Sequence, residues 1–147
     1  MRAEVFALCD FATADPTTGK LNILGAFDHI NTPNVPVVWP ICALALKVRT
    51  ERFDEGTKRF VIRFVDADGR TIIPAFDAQV QVRIGPGEST ATCQFVVIMP
   101  QLQLPNFGEY AIDLAVDGTP TASIPLYVRQ IQIPPQQQIP PPGTQPA

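Results

Sequence analysis

An all-β domain is the fold this sequence predicts: two antiparallel sheets packed as a sandwich of the immunoglobulin-like or C2-like kind, with about eight strands. Three observations carry the prediction. Apolar residues recur at period two in short runs bounded by turn residues. Sixteen prolines are spread through 147 residues. No window free of Pro and Gly sustains a helical stripe, apart from one ambiguous piece.

The elements follow in chain order. Glu4 to Asp10 and Leu21 to Ile30 flank a polar loop, Ala12 to Gly19, whose Asp15-Pro16 and Gly19 are turn chemistry, so these two segments are expected to pair. Ile41 to Asp54 is the ambiguous piece, because Ile41, Leu44, Ala45 and Val48 also fit helical spacing. The strand reading is preferred, since Cys42, Leu44, Leu46 and Val48 align at period two. Phe60, Ile62 and Phe64 alternate with Arg59, Val61 and Arg63, and the run stops at Asp66-Ala67-Asp68-Gly69, a hairpin reversal. Ala78, Val80, Val82 and Ile84 then alternate with glutamines and Arg83. After Gly85-Pro86-Gly87, Cys93, Phe95, Val97 and Met99 repeat the pattern. Tyr110, Ile112, Leu114 and Val116 follow Gly108 on one face, Asp117-Gly118 reverses the chain, and Ile124 to Val128 closes the domain. Pro125 is expected to place that last strand at a sheet edge or a bulge, because proline cannot donate to a ladder. The domain thus occupies 1–130, and 131–147 is a Pro/Gln-rich extended tail.

Composition narrows the function classes. The formal charge is −3 with 11 basic residues scattered among apolar positions, which gives no stripe for tracking nucleic acid. No apolar run is long enough to span a bilayer and no leader precedes the first strand, so neither nucleic acid nor membrane is an expected partner and a cytoplasmic location is expected. Cys9, Cys42 and Cys93 are an odd count in apolar strands without CxxC spacing, and read as small buried side chains.

A set of motifs carries a resemblance. Val5-Phe6-Ala7-Leu8-Cys9-Asp10, Gly19 to Asp28, Val65-Asp66-Ala67-Asp68-Gly69-Arg70, Gly108-Glu109-Tyr110 and Val116-Asp117-Gly118 together resemble an uncharacterised bacterial family of small all-β proteins of unknown function. The likeness covers roughly residues 3 to 130. It implies a sandwich in a bacterial cytoplasm and supplies no catalytic residue to carry over.

No catalytic constellation is visible. His29 is the single histidine, Ser89 and Ser123 lie outside any GxSxG turn, and no glycine-rich loop has phosphate-binding spacing. The expected activity is non-enzymatic, with no cofactor. Tyr110, two residues after Gly108, resembles a tyrosine corner, which is a folding device. Asp66 and Asp68 are the candidate calcium ligands, although the full loop signature with its terminal Glu is missing. They support an alternative reading as a calcium or carbohydrate module, to which Trp39 could add an aromatic contact.

The leading expectation is a protein-interaction or self-assembly module, whose partner is another protein or another copy of this chain. From Gln130 to Ala147 there is neither a charged nor an aromatic side chain, and the last fourteen residues include six prolines. Such a segment favours extended polyproline II. Candidate contact residues are Leu126, Tyr127 and Val128 on the last strand, then Ile131, Ile133, Pro134 and Pro135, and finally Ile139, Pro140, Pro141 and Pro142. The mechanism would combine main-chain pairing at an edge with preordered proline contacts in an apolar groove.

Overall fold

The computed structural model describes residues 1–134 and Gly143, and within them nine strands form two sheets. They are β1 (Arg2–Ala14), β2 (Leu21–Ala26), β3 (His29–Thr32), β4 (Val37–Glu51), β5 (Gly56–Val65), β6 (Phe76–Val82), β7 (Thr90–Leu104), β8 (Gly108–Val116) and β9 (Thr119–Gln130). One sheet has the order β2-β1-β4-β7 and the other β3-β9-β8-β5-β6. Neighbours run antiparallel except β3 and β9, which are parallel.

The period-two readings identify the inward faces. Leu44 and Leu46 of β4, Phe60 and Phe64 of β5, and Tyr110, Ile112 and Leu114 of β8 all enter one buried cluster shared by both sheets. The ambiguous piece is a strand over most of its length, and only Arg52–Asp54 coils, as one 3-10 turn in which the Asp54 carboxylate accepts the N–H of Glu51 at 2.8 Å.

Two expectations change. Leu21 to Ile30 is two strands in different sheets: β2 ends at Ala26, and Phe27-Asp28 carry the chain across to β3. Within β2, Gly25 takes φ +67°, and a Cβ there would meet the Asp10 side chain opposite, so the position favours glycine. The loop after β1 is shorter than expected, because β1 runs on to Ala14 and Ala12 is buried.

That extension has a purpose in packing. Cys9, Ala12, Ala43 and Ala45 form a second small cluster, against which Leu21 and Val96 pack, and the Gln94 side chain donates to the Gly19 carbonyl. The β1–β2 hairpin therefore curls over β4 towards β7. Small residues on both sides of the contact allow that close approach.

The β8–β9 reversal is the expected two-residue turn, with Asp117 at φ 48° and Gly118 at φ 79°, the pair of positive angles that a type I′ turn demands. Tyr110 is the expected corner. Its hydroxyl donates to the Asn106 carbonyl at 2.9 Å and accepts the Asn106 N–H at 3.0 Å, while its ring meets Phe64 edge-on.

Candidate functional site

Among the described residues β6 pairs only with β5, and β7 only with β4, so both sheets end in strands with one unpaired edge on the same side of the molecule. Phe76 of β6 and Phe95 of β7 bridge them, with ring centroids 5.9 Å apart. Beside that bridge the gap stays open as a cleft of about 370 Å³, within the size range of small-molecule and side-chain sites.

Local sequence opens it from both sides. On the sheet side of β5, Asp66 organises a turn: one carboxylate oxygen accepts the N–H groups of Asp68 and Arg70, both at 2.9 Å. The chain returns as far as Ile72, whose N–H reaches Phe64 O at 2.9 Å, and Ile73-Pro74 then swings out before β6 begins. On the other side β4 and β7 change face together. Trp39 and then Cys42 point inward on β4, and Met99 and then Leu102 on β7, three residues apart instead of two, while the pairing register stays constant. Gln101 absorbs the irregularity at φ 52°. The result sets Met99 and Leu102 both towards the cleft, with Pro100 between them on its rim.

Among the described residues the cleft has no titratable lining. Phe64 and Ile112 are among its floor residues, Ile73, Pro74 and Phe76 form one wall, and Val97 and Ile98 belong to the other. Ile98 is 49% exposed although it is a large aliphatic residue. Such a surface can bury an apolar side chain and offers no acid, base or nucleophile.

A second concavity lies on the outer face of the five-stranded sheet and is polar. Arg59 donates Nε to Asp77 at 2.9 Å and its backbone N–H to Asp117 at 2.8 Å, and Ser123 Oγ donates to Asp113 at 2.6 Å. These contacts hold the carboxyls of Asp77 and Asp117 below the usual range: the Arg59 guanidinium acts on Asp77, and the Arg59 N–H, then Lys58, on Asp117. The charges mainly satisfy one another.

The residues expected to be functional are placed as follows. Leu126 and Val128 are core residues, at 0% and 2% exposure. The edge expectation holds for β9 before Tyr127 and is corrected beyond it: Tyr127 and Val128 lie between β8 and β3, and Arg129 and Gln130 pair with β3. Only the part of β9 before Tyr127 lacks a β3 partner, and Pro125 sits there. Tyr127 is half-buried, with Arg129 over its ring at 5.4 Å. Ile131, Ile133 and Pro134 are exposed. Pro135, Ile139, Pro140, Pro141 and Pro142 lie outside the described residues.

One oxygen of the Asp66 carboxylate closes its own turn, Asp68 lies in the same turn, and among the described residues no three His, Cys, Asp or Glu side chains converge as a metal set. Cys9 and Cys42 are buried and Cys93 half-buried, and burial pushes the Cys42 thiol up to about 11. Trp39 packs against the core, 6.0 Å from Phe27. Sequence reasoning missed the cleft, because its walls come from distant segments of ordinary aliphatic residues. The one local signal is Ile72-Ile73-Pro74, an apolar run between a turn and a strand.

No helix among the described residues is long and apolar enough to cross a membrane. No curated protein matches the chain. Among solved structures it is similar to the Pseudomonas fluorescens alkylpurine DNA glycosylase AlkC bound to DNA containing an abasic site analog, at 10% identity and a TM-score of 0.47. That alignment covers 87% of this chain and 30% of the glycosylase chain. Residues 4–129, which reach into all nine strands, match the model of a family described as a family of unknown function, DUF6941, and the chain belongs to that family.

Proposed function

We propose that this domain is a non-enzymatic interaction module that takes an extended, uncharged apolar segment into the cleft between β6 and β7. The observation that carries the reading is the cleft itself, bounded by two unpaired strands and lined by apolar side chains. An unpaired strand offers main-chain donors and acceptors, and an adjacent apolar hole accepts alternate side chains, which is the arrangement of strand-addition recognition. The finer fold reading agrees with it. Two sheets over one core, with β4 beside β7, β5-β8-β9 in sequence across the other sheet, and a tyrosine corner near the start of β8, favour an immunoglobulin-like sandwich.

The test uses residues 1–130, which contain all nine strands and both buried clusters and so retain the whole fold. The dye 1-anilinonaphthalene-8-sulfonate and uncharged pentapeptides with Ile or Val at alternate positions should bind saturably. Ile98→Glu, which sets a charge on the rim, should weaken both at least tenfold with the fold intact by circular dichroism. Absence of saturable binding to the unaltered domain overturns the reading.

A further inference from the structure

We infer that the occupant of the cleft is the segment beginning at Ile131 from a second copy of this chain, joining copies head to tail. This rests on the reading of the cleft given above and names its ligand. Ile131 and Ile133 are 42% and 65% exposed, and two residues apart in an extended chain they point the same way. Prolines 134 and 135 follow, and nothing charged or aromatic occurs from Gln130 to Ala147. The segment is therefore an uncharged ligand for an uncharged hole. A charged segment would have to give up hydration in the cleft without gaining a partner.

Geometry separates the two halves of the contact on one molecule. Ile131 donates its N–H to Thr32 O at 3.1 Å, so the segment leaves the sheet beside β3. The cleft opens at the other border, its lining reaching from β8 through β5 to β6, one to three strand spacings from β9, or about 5–14 Å. Its level is fixed by register: Phe64 lies opposite Ile112, and Ile112 opposite Ile124. Both Phe64 and Ile112 line the cleft. Gln130 lies six residues beyond Ile124, roughly 20 Å farther on at strand spacing, and the chain there runs away from the cleft. A proline-rich segment is stiff over several residues, which disfavours the immediate reversal needed to reach its own cleft and favours a neighbour's. The chain continues to Ala147 after Gln130, which is length enough for that reach. Because the two surfaces differ, the contact is heterologous and propagates into rings or filaments unless capped.

Light scattering on a sizing column tests this with the full chain. The unaltered chain should form multimers whose mass rises with concentration. Ile98→Glu, with a spoiled cleft, and the double variant Ile131→Glu/Ile133→Glu, with a spoiled segment, should each be monomeric. Mixed together they should form a dimer and go no further, since only one productive junction remains. A peptide of residues 131–147 should bind the 1–130 domain, and at least tenfold more weakly after Ile98→Glu. If the full chain is monomeric while its cleft excludes dye that the 1–130 domain accepts, the segment occupies its own cleft and the second-copy assignment falls. If the 1–130 domain binds dye and the alternating pentapeptides but not the 131–147 peptide, the ligand is another partner and the inference falls while the cleft reading stands. If it binds none of these, both fall.

Discussion

The two long sides of the molecule are closed by different forces. On the side of β2 and β3 the backbone crosses between sheets: Phe27 donates its N–H to Leu8 O at 2.9 Å in one sheet, and the next residue, Asp28, accepts the Tyr127 N–H at 2.8 Å in the other. Directional bonds from consecutive residues set the spacing there. On the side of β6 and β7 no strand pairing spans the gap among the described residues, and Phe76, Phe95 and Phe60 hold it by ring contacts. Contacts of that kind are non-directional, so one apolar neighbour can replace another without leaving a polar group unpaired. A stitched side resists a guest, and a greased side can admit one.

The largest expected effect would break this comparison on the stitched side. Phe27→Pro removes the N–H given to Leu8 and the ring that packs on Trp39, and should cost about 3 kcal/mol or more in a urea titration. A cost as small as that of a rim substitution would mean that the stitch holds nothing. Next comes Tyr110→Phe, which keeps the ring against Phe64 and deletes a hydroxyl bonded twice to Asn106. A loss of about 1 kcal/mol is expected from the hydrogen bonds removed, since Asn106 is exposed and water can take up its freed groups.

On the open side Ile98→Glu should change stability by less than about 0.5 kcal/mol, because the side chain is already half in water, while abolishing occupancy of the cleft. A large loss of stability would show that the rim is structural and would erase the contrast.

The smallest effect is electrostatic and belongs to neither side. Asp117 and Asp77 have folded-state carboxyl values below the ordinary 3.8, the first through the Arg59 N–H and the second through the Arg59 guanidinium. A depressed folded value contributes stability above the ordinary value and loses it as pH falls through the depressed one. Stability should therefore be level above pH of about 5 and decline in acid below it. Asp117→Asn, which keeps an acceptor for Arg59 and suits the positive φ, should remove part of that decline. An unchanged acid limb in urea titrations would show that the carboxylate charge at this turn is immaterial.

Much of the architecture was legible because it is written in short-range patterns. Alternation identified the inward residues of β5 and β8, Asp117-Gly118 placed the reversal, and Gly108 with Tyr110 marked the corner. The failures have long-range causes. Leu21 to Ile30 looked continuous because nothing local announces that the chain changes sheets at Phe27-Asp28, where one residue bonds Leu8 and the next bonds Tyr127. Pro125 marks an edge correctly for its own part of β9, but the reading fails for Tyr127 and Val128, which β3 covers. The donor is missing only where β3 does not reach, and the parallel partner at His29 to Thr32 is a four-residue strand nearly a hundred positions away. The cleft was illegible for a third reason. Aliphatic side chains carry no chemical signature, and only the joint change of face in β4 and β7 reveals that some of them are left over.

The parallel pairing of β3 with β9 also sets a schedule. His29 to Thr32 have no partner until Tyr127 to Gln130 exist, so during synthesis an early strand waits for a late one. At ribosomal speeds of about 5–20 residues per second the intervening stretch takes roughly 5–20 s to make. Non-local pairings of this kind also close slowly once all the parts are present. Through that interval the stitch at Phe27 and Asp28 is half made, and the inward faces of both sheets depend on how quickly the newly made β9 finds its slot between β3 and β8.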